Sequence, residues 1–307
     1  MGSTSDLPKN PLAFVSRHDN HPPAATEDSH PVCRCVLIQI VDDLIVAQRR
    51  LIELLKEKRQ AVISHVVSKG LNPTAPMRPS GVEWLGNIPA HWTVSQVRHV
   101  IELSTSGPRG WSEMLGEDGA IFFQSRNIGR AMEIELQGAA HINPPTDTDA
   151  ERAELQTDDV VVCITGARTG AVAHVDHLPG KAYISQHVCL IRPRVKVVKG
   201  KYLAFFLFST QCQQQFSLST YGIKQGLGLD DVRDKMVVLP STLEQTNVSA
   251  FLDREVATAG CLMAEAETVI TLLEERRAAL ISAAVTGKID VRGLASAPAE
   301  AATAEAA

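Results

Sequence analysis

The sequence predicts an α+β protein in which one mixed α/β domain is flanked by two long helices that pair as an antiparallel coiled coil. The first observation is an internal repeat: nine of the twenty positions 51–70 are identical to their counterparts in 269–288, at an offset of 218. A repeat at a fixed offset is typical of a duplicated structural unit. The second observation is that apolar residues recur every seven positions in both copies, as in helices that pack side by side. The third is a run of strand and short-helix patterns in the segment 80–240 between them.

The first helix is predicted over residues 42–69, within a segment 42–72 that forms a truncated version of the longer second copy. Asp42 or Asp43 can cap its start, and Gly70 followed by Pro73 stops it. Residues before position 42 are left unassigned and are expected to be disordered, because prolines are spread among polar residues there. The residues predicted to pair with the second helix are Leu44, Leu51 and Leu54.

The second helix is predicted over residues 241–290. Ser241 and Glu244 form a capping box at its start, and Gly287 ends it. At 1.5 Å per residue such a helix is about 65 Å long, too long to lie on one small domain, so it is expected to pack against the first helix. Its predicted pairing residues are Leu252, Leu262, Val269, Leu273 and Leu280.

The segment 80–240 is predicted to fold as one mixed domain. Strand patterns cover residues 158–165, 170–175, 187–193 and 236–239, and an amphipathic helix is predicted over 201–216. The Ala- and Glu-rich tail 291–307 is expected to be disordered.

The distribution of charge matters more for function than the net value of −5. A negative total argues against indiscriminate binding to nucleic acid. However, the interval 181–224 contains seven Lys or Arg residues and no Asp or Glu. This interval is either a surface directed at an anion or a solvated face balanced by acids elsewhere in the fold.

The motifs that usually carry catalysis are missing from the sequence. There is no phosphate-binding glycine loop, no Gly-x-Gly-x-x-Gly and no Gly-x-Ser-x-Gly elbow. The tetrapeptide 143–146 reads Asn-Pro-Pro-Thr and lacks the aromatic residue that a base-flipping adenine methyltransferase stacks on the flipped base. His30, Cys33 and Cys35 lack the second half of a zinc site. We expect a non-enzyme without metal or cofactor.

The expected location is the cytoplasm. The six cysteines have no framework-like spacing, which favours reduced thiols. No basic region followed by an apolar one begins the chain, and no apolar run reaches the roughly 20 residues that span a bilayer.

Several segments resemble, in the same order, the specificity subunits of type I restriction–modification systems. Residues 80–92 (SGVEWLGNIPAHW) resemble the opening of a target-recognition domain of that family. Residues 222–229 (GIKQGLGL) and 237–240 (VVLP) are similar to its end. Residues 51–72 look like the end of the family's central conserved helix, and 251–255 (FLDRE) with 272–290 look like its distal conserved helix.

The resemblance covers residues 42–292 and implies a non-catalytic subunit that binds double-stranded DNA. A full subunit of the family has two recognition domains, each of which reads one half of a bipartite target. Two helices space these domains and dock the methyltransferase subunits, and through them the restriction subunit. This chain contains one such domain, which resembles the second, so it resembles a C-terminal half-subunit.

Three interpretations of a half-subunit stay open. The chain is a working half-subunit that pairs with itself as a homodimer, or a truncated subunit that is non-functional or needs another chain. Alternatively, it is a coiled-coil interaction protein that no longer reads DNA. Binding to duplex DNA at low salt separates the third interpretation from the first two.

Contacts with DNA are expected from basic and amide side chains near loops, because arginine, lysine, asparagine and glutamine contact phosphates and base edges. The strand pattern also places Arg192, Arg194 and Lys196 on one face. The residues predicted to contact DNA are Arg126, Asn127, Arg168, Thr169, Arg192, Arg194, Lys196, Lys224 and Gln225.

Overall fold

The computed structural model describes residues 31–220 and 226–286, with side chains from residue 37 onward. The predictions for residues 1–30, for the tail 291–307 and for Gly287 therefore lie outside the described residues. The described helices are α1 (Pro31–Lys69), α2 (Val97–Val100), α3 (Thr148–Ala153), α4 (Gly200–Phe208), α5 (Thr210–Ser219), α6 (Leu229–Arg233) and α7 (Thr242–Val285).

The strands all belong to the segment between α1 and α7. They are β1 (Met77–Pro79), β2 (Asn87–Pro89), β3 (Thr93–Gln96), β4 (Ile101–Ser106), β5 (Leu115–Gly116), β6 (Ala120–Phe123), β7 (Ala140–Ile142), β8 (Val160–Cys163), β9 (Val172–His174), β10 (Ala182–Ile184), β11 (Val188–Pro193) and β12 (Met236–Leu239). The four strands predicted from sequence correspond to β8, β9, β11 and β12. The α+β class is confirmed.

Two four-stranded sheets form the body of the domain, in the orders β4-β11-β8-β9 and β10-β6-β7-β5. The first sheet is antiparallel throughout, whereas β10 and β6 run parallel in the second. Two-stranded pairs, β1 with β2 and β3 with β12, complete the pairing. Strand β12 precedes α7 along the chain, so its pairing with β3 joins the two ends of the domain.

The β4-β11-β8-β9 sheet is buried on both faces. Val160 and Val162 of β8 belong to a core shared with α4, α1 and α7, while Val161 and Cys163 belong to a second core shared with the other sheet. Successive side chains of a strand point to opposite faces, so a strand between two cores reads as a continuous apolar run. This explains why β8 was recognisable in the sequence.

Helix α1 begins eleven residues earlier than predicted, at Pro31 rather than Asp42. Proline is tolerated in the first turn of a helix, because the backbone N–H groups of that turn have no hydrogen-bond acceptor within the helix. The expectation of disorder up to residue 41 is therefore wrong for residues 31–41. Val41 is only 6% exposed, so the added turns also contribute a buried side chain.

The buried stripe of α1 does not lie where the sequence pattern placed it. Leu44, Leu51 and Leu54 are 44%, 44% and 45% exposed, so their assignment to the intrachain seam is wrong. The less exposed residues alternate in steps of four and three, as in a coiled-coil seam. They are Val41, Ile45, Gln48, Ile52, Leu55, Arg59, Val62 and Val66. Two heptad stripes share this helix, and spacing alone did not distinguish them.

On α7 the predicted pairing residues fall into two lines that differ in burial. Leu252 and Ala266 are buried, and Leu273 and Leu280 are partly buried at the same seven-residue step. Leu262 and Val269 are 45% and 39% exposed, so they lie outside the seam. Partly buried residues mark the second line of the seam: Val256, Met263, Ile270, Arg277 and Ala284.

The described chain divides into two compact units, one of which comprises residues 44–273. Within it, Ile63 and Val67 of α1 share a core with Val248 and Leu252 of α7. Leu55, earlier in α1, and Leu262, later in α7, line one small cavity. The two helices therefore run antiparallel in this unit, and a coiled coil along their whole length stays a prediction.

The other unit takes in the described residues before Leu44 and after Leu273. In it, Arg277 of α7 donates from Nε to Oδ1 of Asp42 on α1 at 2.5 Å. This ion pair links the early part of α1 to the late part of α7.

The amphipathic helix predicted over residues 201–216 is two helices, α4 and α5, that meet at Ser209. The Ser209 hydroxyl donates to the carbonyl of Phe206 at 2.6 Å and accepts from the N–H of Cys212 at 3.4 Å. The same side chain thus ends one helix and caps the next, as serine does at helix starts. Helix α4 is largely buried, whereas the buried residues of α5 are Cys212 and Phe216.

The predicted capping box at the start of α7 is confirmed. Ser241 donates its N–H to Glu244 Oε2 at 3.2 Å, and the N–H of Glu244 donates to Ser241 Oγ at 3.3 Å. Glu244 also accepts from Trp92 Nε1 at 3.4 Å and lies 2.9 Å from His91 Nε2. Burial opposes ionisation of Glu244, but these hydrogen bonds leave its pKa below the usual value. The motif 80–92 is thus tied to the cap of α7.

Helix α7 also meets the length and mean hydropathy of a candidate membrane span. It contains an 18-residue window with a mean hydropathy of 1.5, which is long and apolar enough to cross a bilayer by length and composition alone. Only 6% of that window is buried. The heptad stripe and the contacts with α1 fit a helix that packs against other helices.

Candidate nucleic-acid interface

A groove of about 910 Å³ opens between helix α5 and the loop that joins β8 to β9. We call it the α5 groove. None of its lining residues is Asp or Glu. It is lined by Gln60, Arg130, Ala167, Arg168, Thr169, Gly170, Ala171, Phe208, Thr210, Gln213, Gln214, Gln215, Ser217 and Leu218.

The loop along one wall of the groove is held in a fixed shape by its own backbone. Gly166 and Gly170 adopt φ values of 98° and 90°, which favour glycine because it has no Cβ. The N–H of Gly170 donates to the carbonyl of Cys163 at 2.8 Å, which closes the turn. Gln213 of α5 donates to the carbonyls of Gly170 and Leu207 at 2.9 and 2.8 Å, so it fastens the loop to the helix across the groove.

Three of the predicted DNA-contact residues come together at this loop. Arg168 donates from NH1 to the carbonyls of Arg126 and Ile128 at 2.9 and 2.6 Å. Its side chain stays 34% exposed and lies 3.9 Å from Glu135. Thr169 follows it in the groove wall. Arg168 therefore positions the segment that carries the exposed Arg126 while it lines the groove itself.

Asn127 and Arg192 have internal roles that leave little capacity to bind DNA. Asn127 is 3% exposed; its Oδ1 accepts from the N–H of Gln124 at 2.9 Å, and its Nδ2 donates to the carbonyl of Glu135 at 2.7 Å. Arg192 donates from Nε and NH2 to the two carboxylate oxygens of Asp159 at 2.9 and 2.8 Å. We remove both residues from the candidate DNA contacts.

Arg194 and Lys196 are exposed but lie away from the groove. The loop 164–170 packs at the start of β11, where the N–H of Ile164 donates to the carbonyl of His187 at 3.0 Å. Arg194 follows the end of this six-residue strand, about 20 Å away at 3.3 Å per residue. Strand β11 ends at Pro193, so Arg194 and Lys196 lie beyond it, and the prediction that all three basic residues share one strand face is wrong.

Lys224 and Gln225 lie outside the described residues, so their role stays a prediction. The chain that follows them returns beside the groove loop. The N–H of Leu227 donates to the carbonyl of Ile164 at 2.7 Å. A Cβ on Gly226 would lie 2.6 Å from that same carbonyl oxygen, so only glycine allows this close approach.

Arg130 and the polar residues of α5 were not among the residues predicted from the sequence to contact DNA. Gln214 is exposed in the groove, one helical turn before the 67% exposed Leu218. A signal was available, because the cluster of glutamines at 211–215 lies inside the acid-free interval 181–224. Glutamine and arginine side chains can each make two hydrogen bonds to a base edge. In the described part of the chain, no cluster of His, Cys, Asp or Glu is placed to hold a metal ion.

No protein-family model and no curated protein matches the chain. Solved structures do match. A structure described as the basis of complex assembly and conformational transition of the type I R-M system superposes with a TM-score of 0.61 and 15% identity, over 82% of this chain and 57% of that chain. The HsdS subunit from Thermoanaerobacter tengcongensis superposes with a TM-score of 0.53 and 16% identity, over 82% of this chain and 56% of that one.

These two matches agree with the architecture described above, in which long helices flank a mixed α/β domain. This chain spans a little over half the length of each matching chain. With both identities below a quarter, the likeness concerns the fold. The chain therefore has the fold of the specificity subunits of type I restriction–modification systems.

Proposed function

We propose that this chain is a DNA-recognition subunit of a type I restriction–modification system and reads one half of a bipartite target through the α5 groove. The observation that carries the proposal is a groove with arginines and exposed amides and without a carboxylate, in a chain with the specificity-subunit fold. A protein with a net charge of −5 that keeps one groove free of acid presents DNA with a local attractive surface.

Each part of the groove has a distinct role in this proposal. Arg130 in the groove and the exposed Arg126, which does not line it, supply charge for phosphate contacts, which position the duplex without reading its sequence. Gln214 and Gln215 supply donors and acceptors for base edges. Gln213 fastens the β8–β9 loop to α5 before DNA binds, which lowers the entropy lost on binding.

The flanking helices serve, in this proposal, to dock methyltransferase subunits and, through them, the restriction subunit. Lys56, Lys58, Glu275 and Arg276 are exposed and supply charge for such a contact. Arg277 and Arg59 are less suitable, since Arg277 pairs with Asp42 and Arg59 lies within the buried stripe of α1. The chain itself needs no catalytic residue, because the methyltransferase subunit performs the chemistry.

The first test is a genome-wide map of adenine methylation in cells that express this chain with a methyltransferase subunit of the same system. A bipartite motif that appears only in the presence of this chain is the expected result. The absence of a new motif, together with no binding to duplex DNA at low salt, would contradict the proposal. It would favour the alternative of a coiled-coil interaction protein.

The motif from that map then tests the groove. We expect Arg130→Ala combined with Gln214→Ala to weaken binding to the cognate duplex by about 5- to 150-fold, which corresponds to about 1–3 kcal/mol for a lost base contact. Binding to unrelated duplexes should weaken by a smaller factor, because they lose only the phosphate contact of Arg130 and not the base contact of Gln214. Fluorescence anisotropy with labelled duplexes measures both affinities.

Arg109→Ala combined with Gln39→Ala is the matched control for this measurement. It removes the same two side-chain types from exposed positions outside the groove. An equal loss of affinity in both double variants would assign the effect to general charge. No change in the groove variant would show that the target is read elsewhere, with Lys224 and Gln225 as the next pair to replace.

A further inference from the structure

The internal repeat maps the ion pair between Arg277 and Asp42 onto a second position, where glycine replaces the carboxylate. Arg277 of α7 donates from Nε to Oδ1 of Asp42 on α1 at 2.5 Å. The offset of 218 pairs Arg277 with Arg59 of α1, and Asp42 with Gly260 of α7. The duplicated unit therefore has arginine at both equivalent positions but a carboxylate at only one of them.

Arg59 and the residues around Gly260 meet at a small cavity between the two helices. The cavity has a volume of about 50 Å³, and its lining includes Arg59 and Ala259, the residue before Gly260. All of its lining residues belong to the unit 44–273. They are Leu55, Lys58, Arg59, Val62, Glu255, Thr258, Ala259 and Leu262.

The guanidinium of Arg59 is not neutralised by a carboxylate in the described part of the chain. Its Nε is buried and has no hydrogen-bond partner there. Glu255 lines the same cavity, but the structure shows no ion pair between it and Arg59. A buried charged donor is costly unless it is paired and hydrogen-bonded. Arg59 therefore requires an acceptor that carries negative charge.

Gly260 leaves space for such an acceptor. A Cβ on Gly260 would meet no described atom within 4 Å. Glycine in the interior of a helix is less favourable than alanine. Since no close approach of another segment requires glycine here, its effect at this position is to leave open the place that the Asp42 side chain takes at the equivalent position.

The lining of the cavity favours one small monovalent anion. Lys58, Arg59 and Thr258 can donate hydrogen bonds to it. The volume exceeds the roughly 30 Å³ that one water molecule occupies in the liquid, so it suits a single ion. The rest of the lining is mostly apolar, and Glu255 adds a negative charge, so a doubly charged and strongly hydrated anion is disfavoured.

We propose that Arg59, Lys58, Thr258 and the open space at Gly260 form a binding site for one chloride ion between α1 and α7. The ion replaces the carboxylate that Asp42 supplies at the equivalent position, and it joins the two helices one turn from Ile63 of their shared core. The cavity shares no lining residue with the α5 groove, so the site is independent of the proposed function.

The test is the melting temperature of the purified full chain, followed by circular dichroism in sodium chloride and in sodium gluconate. Equal ionic strength keeps the screening of charges the same. A bound ion stabilises the folded state, so about 200 mM chloride should raise the melting temperature by about 2–4 °C relative to gluconate. Arg59→Gln should abolish this difference. Arg50→Gln, which removes an exposed arginine of α1 outside the cavity, is the matched control and should retain it.

A second pair of variants tests the equivalence of the two positions. Gly260→Asp restores the carboxylate that the repeat lacks here, so its melting temperature should no longer differ between chloride and gluconate. Gly260→Ala fills no part of the site with charge and should keep the difference. These two variants decide the question even if Arg59→Gln does not fold.

Three results would overturn the chloride site. One is a wild-type melting temperature that is equal in the two salts. Another is a chloride effect that persists in Arg59→Gln or in Gly260→Asp, which would assign it to other parts of the surface. The third is a chloride effect that appears only in Glu255→Gln, which would show that Glu255 neutralises Arg59 in the wild type.

Discussion

Replacing Arg192 by alanine should lower the free energy of unfolding by about 3–5 kcal/mol. Arg192 holds both carboxylate oxygens of Asp159 and also donates to the carbonyl of Glu154 at 2.9 Å. Asp159 is 1% exposed, so the variant leaves a buried charge without its partner, and this loss is the main cost. Urea unfolding followed by far-UV circular dichroism measures the change.

The loss of unfolding free energy in the Arg192→Ala variant should depend on pH in a defined direction. Burial raises the pKa of Asp159 even with Arg192 present, and the pKa rises further when the guanidinium is removed. A raised carboxyl pKa means that folding disfavours the charged form. The part of the destabilisation that comes from the buried Asp159 charge is therefore fully present above the pKa of the folded state and absent below the unfolded value of about 3.9. The difference in the free energy of unfolding between the wild type and Arg192→Ala should become smaller as the pH falls from 7 towards 4.

The control is Arg233→Ala, which removes an exposed arginine that lies 3.3 Å from Asp230. We expect it to change the free energy of unfolding by less than about 1 kcal/mol, because exposed ion pairs contribute little. Two results would contradict the assignment of Arg192 to a buried structural pair. One is an equal loss of unfolding free energy in Arg192→Ala and Arg233→Ala. The other is a difference between wild type and Arg192→Ala that grows as the pH falls.

Leu252→Ala should cost about 2–5 kcal/mol of stability. Leu252 is fully buried on α7 and belongs to the core that α1, α7 and the recognition domain share. Its truncation removes buried methyl groups and leaves a cavity, because neighbours from three elements cannot all move inwards. The same urea unfolding measurement applies.

Leu243→Ala makes the same chemical change on the same helix at a side chain that is 71% exposed. It should alter stability by less than about 0.5 kcal/mol. A loss in Leu252→Ala no greater than that of the control would show that α7 is not anchored in the shared core. Intact stability of both variants would also contradict the packing described for the domain.

Several elements could be predicted from the sequence because their signals are local. Strand β8 is a continuous apolar run, and a run buried on both faces reads as such without knowledge of its partners. The capping box of Ser241 and Glu244 depends on residues three positions apart. The seven-residue step through Leu252, Ala266 and Leu273 likewise depends on spacing along one helix.

The candidate DNA-binding site could not be predicted from the spacing of residues along the sequence alone. Arg192 is basic and lies in a basic interval, yet the buried carboxylate that binds it is 33 residues away in the sequence. The α5 groove joins residues from α1, the loop that carries Arg130, the β8–β9 loop, the end of α4 and α5, which only tertiary packing brings together. The sequence showed the cluster of glutamines, but not that Gln213 would fasten a loop while Gln214 faced the groove.

The sequence by itself determined the helix–domain–helix order, the repeat that relates the two helices and the acid-free interval 181–224, of which residues 208–218 contribute to the lining of the groove. Only the tertiary structure decided which of two equally spaced apolar stripes on α1 faces α7, and it left Leu44, Leu51 and Leu54 exposed. The physical reason is that periodicity fixes which residues share a helix face. The choice of the face that packs depends on partners far along the chain.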